Sequence, residues 1–175
     1  TSLRRKEPGA GQHAGWHQDT FYIRYEPIWY VCLVALTDQC VENGCLHVIP
    51  GSHRWKLLEH ADTEDLTSVL TRGQRITEDF DDSGAVPIEL EAGEIMFFHP
   101  GIVHGSPPNH SLQRRVLMLV EVCPPQTRRV GIRGRATLLR GQDTHGHFDI
   151  LSWPNVDCGP GEVDMHQLAC KSRVK

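Results

Sequence analysis

The feature that most restricts the fold of this chain is a series of short apolar segments separated by Gly, Pro and Asn-Gly turns. The segments are rich in β-branched and aromatic residues and are too short for typical helices, so each predicts a buried or half-buried strand. They comprise residues 28–36, 45–49, 86–90, 95–98 and 115–122. Asn43-Gly44, which suits a tight hairpin turn, precedes the second segment.

One stretch departs from this pattern. Residues 55–70 contain spaced leucines and acidic side chains but no Gly or Pro, which predicts a surface helix or helical loop. The polar residues 71–85 that follow predict a mobile excursion. Many short strands with one helical stretch indicate an all-β core with minor α structure, in the form of a sandwich or barrel.

A length of 175 residues suits one domain. We expect its core at about 16–123, with 124–175 as a C-terminal extension of uncertain structure. The chain begins at Thr1, and we expect that an N-terminal helical or strand segment is missing. Cys158, His166 and Cys170 in the extension lack a C-x-x-C pair and a fourth ligand, so we expect free thiols there instead of zinc.

Composition excludes few functions. A formal net charge of -4 gives no reason to expect a nucleic-acid partner, and no apolar run approaches the roughly 20 residues of a membrane span. The six cysteines are too scattered for a disulfide framework, which favours a reducing, cytoplasmic setting.

His-x-Asp pairs are candidate metal ligands, because side chains at i and i+2 of a strand share a face. Three pairs occur in the chain, at His17/Asp19, His60/Asp62 and His147/Asp149. The second lies in the predicted surface helix, where i and i+2 do not share a face. The third lies in the extension, with no later strand to supply another histidine. The first pair precedes the strands that could supply a third ligand.

That third ligand is expected where an apolar strand leads into histidine. Residues 97–106, FFHPGIVHGS, offer both His99 and His104. Strand logic alone does not choose between them.

Three segments together carry a resemblance to a known family: WHQD (16–19), ENGCLHVIPGSH (42–53) and HGSPPNHSLQRR (104–115). They resemble the phytanoyl-CoA dioxygenase family of Fe(II)- and 2-oxoglutarate-dependent oxygenases. The order and spacing of the segments match that family from about residue 16 to residue 122. The resemblance implies a double-stranded β-helix, also called a jelly roll or cupin-like fold.

In that family an arginine follows the distal histidine by eleven positions. Arg115 follows His104 by that interval, whereas the same interval from His99 reaches His110. The resemblance therefore implies His17, Asp19 and His104 as ligands, with His99 in a supporting position.

The resemblance also implies how the cosubstrate is held. Arg115 is the candidate for the far carboxylate of 2-oxoglutarate, since its planar fork makes two parallel hydrogen bonds. Ser106 is expected to donate a hydrogen bond to the same carboxylate. Gln18 is a weaker candidate for contact with cosubstrate or substrate, because an ordinary glutamine on the strand surface is nearly as good an interpretation.

Two imidazoles and one carboxylate on one face bind Fe(II) and leave three positions for 2-oxoglutarate and O2. The resemblance implies hydroxylation or a related oxidation of a small organic molecule, with release of succinate and CO2. Asp19 argues against halogenation, since halogenating relatives have a small residue there. Two alternatives remain: a metal-dependent cupin that does not use 2-oxoglutarate, and a non-catalytic binding protein of the same fold.

Overall fold

The computed structural model describes residues 1–153, and within this range it contains no α-helix. Two 3-10 helices, Asp19–Phe21 and Ser52–Arg54, interrupt an otherwise β structure. The strands are β1 (Ser2–Lys6), β2 (Ala14–His17), β3 (Tyr25–Glu26), β4 (Tyr30–Ala35), β5 (Leu46–Val48), β6 (His60–Ala61), β7 (Arg75–Ile76), β8 (Val86–Ile88), β9 (Ile95–Phe98), β10 (His104–Ser106), β11 (Arg115–Val122), β12 (Arg128–Arg129), β13 (Gly134–Thr137) and β14 (Phe148–Leu151).

Eight strands form two four-stranded antiparallel sheets. The first has the order β1-β11-β4-β9 and the second has the order β2-β10-β5-β8. Neighbouring strands are mostly distant in sequence, as in a double-stranded β-helix. The predicted jelly-roll fold is confirmed.

The core lies between the two sheets. Alternate side chains of β4 and β11 point inward, including Val31, Leu33 and Leu117, and they pack against Leu46 and Val48 of the second sheet. Because residues i and i+2 of a strand share a face, each sheet contributes one apolar face to this core. The site described below lies at the inner face of the second sheet.

Most predicted strands are present, with small shifts at their ends. β9 and β11 coincide with the predicted segments, and Gly44 has the positive φ of 73° expected at the Asn-Gly turn. β1 extends the first sheet ahead of the predicted core by pairing with β11.

The predicted helical stretch at 55–70 is wrong. These residues form loops with the short strand β6 at His60–Ala61. The reason is that the leucines do not share one face: Leu58 is buried, while Leu57 and Leu66 are 50% and 99% exposed. Leucine spacing without a continuous apolar stripe does not stabilise a surface helix.

The described part of the extension contains short strands. β12 pairs with β3, and β13 runs parallel to β14. The tail cysteines and His166 lie outside the described residues.

None of the helices in residues 1–153 has the length and apolarity required to cross a bilayer.

Candidate active site

Three potential metal ligands meet where β2 and β10 pair. His17 ends β2, His104 begins β10, and the two residues are direct partners across the ladder. Asp19 follows in the 3-10 turn after β2. The ligand atoms of the three residues lie within 4.8 Å of one another. The structure thus brings together the three residues predicted from the sequence.

Both imidazoles are oriented by their own strands. His17 Nδ1 lies 2.8 Å from the Gly15 carbonyl oxygen, and His104 Nδ1 lies 2.9 Å from that of Ile102. A carbonyl oxygen only accepts, so each Nδ1 carries the proton and each Nε2 has a lone pair. This arrangement fixes the tautomer that a metal-ligating histidine requires.

The charge states also suit a cation. Burial, reinforced by the neighbouring His17, lowers the pKa of His104 to about 4, so its ring is neutral at pH 7. Burial raises the pKa of Asp19, but His104 and then His17 lower it by more, and its net pKa lies below the ordinary value. Asp19 Oδ1 is 3.5 Å from His17 Nε2, and Oδ2 is 3.7 Å from His104 Nε2. Two imidazoles and one carboxylate are the donor set of a facial-triad iron site.

A second cluster, here called the cationic end, surrounds the last residue of β10. It consists of Ser106 of β10, Arg115 of β11 and Lys6 of β1. Arg115 is only 3% exposed, and its Nη1 donates to the Gly44 carbonyl at 2.8 Å and to Ser106 Oγ at 3.3 Å. Its Nε has no hydrogen-bond partner in the part of the chain that the structure describes. Burial lowers the pKa of Arg115 to about 10, which leaves the guanidinium charged at neutral pH.

Lys6 is the member of this cluster that sequence reasoning missed. It pairs with Arg115 in the β1-β11 ladder and is fully buried. Its Nζ donates to Ser106 Oγ at 2.5 Å, to the Ser106 carbonyl at 2.9 Å and to the Pro107 carbonyl. No local signal in the sequence marks Lys6, because the apolar Leu3 of β1 is exposed while Lys6 is buried.

Within residues 1–153, the cationic end has no acidic ion-pair partner. None of the ion pairs among residues 1–153 involves Lys6 or Arg115. Buried charges are normally paired, because desolvation of an isolated ion is costly. A buried lysine amine beside a buried guanidinium with an unpartnered Nε therefore suits an anionic ligand such as a carboxylate, which arginine binds through paired hydrogen bonds.

Gln18, the residue between the two early ligands, is held by protein groups in the structure. Its side chain is buried and engaged with protein groups: Oε1 accepts the Leu58 N–H at 2.9 Å, and Nε2 donates to the Gly101 carbonyl at 3.0 Å. An amide engaged in this way joins surrounding loops to the end of β2, which argues against a contact with the cosubstrate.

The other histidines considered from the sequence lie outside the triad. His99 Nδ1 accepts the Gly101 N–H at 3.0 Å and shapes the turn that leads to β10. Asp62 pairs with Arg72 and Asp149 pairs with Arg133. Among residues 1–153, neither of these two His-x-Asp pairs belongs to a group of three potential metal ligands. His60 contacts the segment that carries the triad and is considered below.

A jelly roll with two imidazoles and a carboxylate at the junction of two strands, next to a buried cationic cluster, is the architecture of non-haem, 2-oxoglutarate-dependent oxygenases. The sequence comparisons agree with this class. The model of the family "Phytanoyl-CoA dioxygenase (PhyH)" matches residues 2–117, and the chain belongs to this family.

Individual relatives share part of their length with the chain. A probable phytanoyl-CoA dioxygenase of Caenorhabditis elegans is 32% identical over 117 residues, which are 63% of this chain and 37% of that protein. The Danio rerio phytanoyl-CoA dioxygenase domain-containing protein 1 is 35% identical over 113 residues. The chain spans little more than a third of these two curated relatives, 37% and 38%.

Solved structures give the same fold. The apo form of the non-haem monooxygenase ThoJ has a TM-score of 0.82 at 27% identity, over 98% of this chain and 63% of that one. EvdO2 from Micromonospora carbonacea var. aurantiaca, in complex with 2-oxoglutarate, has a TM-score of 0.57 at 26% identity, over 74% of this chain and 52% of that one.

Proposed function

We propose that the protein is an Fe(II)- and 2-oxoglutarate-dependent dioxygenase that hydroxylates, or otherwise oxidises, a small organic substrate. Succinate and CO2 are the products from the cosubstrate. The observation that carries this proposal is the position of His104 and Ser106 on one strand. β10 contributes both to the metal-ligand cluster and to the buried, uncompensated cationic end.

The roles of the residues follow from their contacts. His17, Asp19 and His104 hold Fe(II), which when bound supplies the redox chemistry that activates O2. The Nδ1 hydrogen bonds to Gly15 and Ile102 keep both imidazoles aimed at the ion. The Asp19 carboxylate would neutralise part of the charge of the ion. Halogenating relatives have a small residue at this position, so the proposal is oxygenation.

At the other end, Arg115 and Lys6 supply positive charge for the distal carboxylate of 2-oxoglutarate. Ser106 Oγ lies between the two cations and donates to the Gly44 carbonyl at 2.8 Å, so its hydroxyl has to rotate to donate to a carboxylate. Gln18 is left out of this ligand set, because its amide is engaged with Leu58 and Gly101.

Within residues 1–153 the cysteines are free, which supports our further proposal of a reducing, cytoplasmic location.

The decisive experiment measures succinate and 2-oxoglutarate affinity in one set of proteins. The wild type, loaded with Fe(II) and supplied with 2-oxoglutarate and O2, is expected to form succinate even without its substrate, at a slow uncoupled rate. Arg115→Gln is expected to weaken 2-oxoglutarate binding by about 100-fold, since breaking a buried charge pair costs about 2–5 kcal/mol.

Arg114→Gln is the matched control. Arg114 is the adjacent residue, is exposed and pairs with Glu7 at 2.9 Å. The Arg114→Gln variant should bind 2-oxoglutarate with the affinity of the wild type. Metal binding without affinity for 2-oxoglutarate would favour the cupin alternative. Binding of metal and cosubstrate without turnover in the presence of candidate substrates would favour the binding protein.

A further inference from the structure

The residue between the two early metal ligands is held by a separate loop. Gln18 Oε1 accepts the backbone N–H of Leu58, and the backbone N–H of Gln18 donates to His60 Nε2 at 3.0 Å. The loop from Leu58 to His60 thus contacts both the side chain and the main chain of residue 18. This loop lies about 40 residues further along the chain.

The backbone contact satisfies a donor that the sheet leaves open. β2 is the edge strand of the second sheet and pairs with β10 on one side only. At Gln18 the chain is still extended, with φ -120° and ψ 125°, and it turns into the 3-10 helix at Asp19. A buried N–H without a partner is unfavourable, and here an imidazole supplies the acceptor.

The His60 ring is fixed in the state that this acceptor role requires. Its Nδ1 lies 2.8 Å from the Leu58 carbonyl oxygen and therefore carries the proton, which leaves Nε2 as the acceptor. Burial lowers the pKa of His60, in keeping with a neutral ring. Phe21, two residues after Asp19, stacks on the imidazole with ring centroids 4.4 Å apart and an interplanar angle of 11°.

We infer that His60 is a positioning residue for the metal centre: by accepting the Gln18 N–H it holds the turn that separates His17 from Asp19. This inference rests on the proposed function. A metal site binds its ion about 10- to 100-fold more weakly when the contacts that orient its ligand side chains are removed.

The test uses Co²⁺ as a spectroscopic probe in the absence of cosubstrate. His60→Phe keeps a ring against Phe21 but has no acceptor, and it is expected to weaken Co²⁺ binding by about 10- to 100-fold. His60→Gln places an amide oxygen near the position of Nε2 and is expected to restore most of the affinity. His110→Phe, the same change at an exposed histidine, should bind as the wild type does.

Far-UV circular dichroism and thermal unfolding of the metal-free variants separate a local effect from loss of the fold. If His60→Phe does not fold, the hydrogen bond is measured in the ¹⁵N-labelled, metal-free wild type, as a coupling between the Gln18 amide nitrogen and His60 Nε2. Absence of that coupling overturns the inference.

Equal Co²⁺ affinity of wild type and a folded His60→Phe also overturns it, as does a His60→Gln variant as weak as His60→Phe. These results leave the proposed function intact. Failure of the wild type itself to bind Co²⁺ overturns the proposed function and this inference together.

Discussion

A buried lysine next to a buried arginine makes the stability of the ligand-free protein depend on pH. Burial, and then the charge of Arg115, lower the pKa of Lys6 from 10.5 to about 7, against a smaller opposing effect of Cys45. The unfolded chain holds this proton up to about pH 10.5, whereas the folded protein releases it near pH 7. Between these values the unfolded state binds more protons, so the stability of the folded protein increases as the pH rises.

The magnitude follows from the two pKa values. A fall from 10.5 to about 7 corresponds to a full penalty of about 5 kcal/mol, at about 1.4 kcal/mol per pH unit. Between pH 7 and pH 9 the folded protein should recover about 2 kcal/mol of this penalty. Other groups also titrate in this range, so the quantity to compare is the difference between the wild type and Lys6→Met.

Urea unfolding of both proteins at pH 7, 8 and 9 measures this difference. The wild type is expected to gain about 2 kcal/mol relative to Lys6→Met over that range. With Ni²⁺ and saturating 2-oxoglutarate the gain should disappear, because a carboxylate beside Lys6 keeps it charged. Parallel pH profiles for the two ligand-free proteins would refute the reasoning, since Lys6 would then titrate as it does in the unfolded chain.

Three further predictions concern the scaffold and the ligand cluster. Leu33→Ala removes a core side chain that is 2% exposed and should lower the free energy of unfolding by about 2–5 kcal/mol in urea titrations. Gly44→Ala would place a methyl group against the carbonyl oxygens of Pro107 and Pro108 at a positive φ, so we expect a lower melting temperature and weaker 2-oxoglutarate binding; a wild-type affinity would contradict this. Asp19→Ala should abolish Co²⁺ binding measured by visible absorption while the circular dichroism spectrum is retained, and an unchanged affinity would exclude Asp19 as a ligand.

Much of the fold could be predicted because its signals are local. The apolar run of β11 and the Asn43-Gly44 turn depend on neighbouring residues only. The stretch at 55–70 was misassigned because leucine spacing does not reveal which leucines become buried. Burial depends on what the rest of the chain places against them.

The candidate ligands were also accessible from the sequence. His17 and Asp19 belong to one short motif, and the family resemblance selected His104 over His99 and pointed to Arg115. The comparisons confirm the family. The roles of these residues stay predictions, although the structure brings the three ligand atoms within 4.8 Å of one another.

By itself, the sequence determined the β architecture, the turn at Asn43-Gly44 and a short set of metal-binding candidates, since these follow from spacing along a strand. Only the tertiary structure decided that Lys6 lies beside Ser106, 100 positions away, and that His60 accepts the Gln18 N–H across 42 positions. The physical reason is that a hydrogen bond depends on the distance between atoms in space, and folding brings distant strands and loops together in ways that no local pattern encodes.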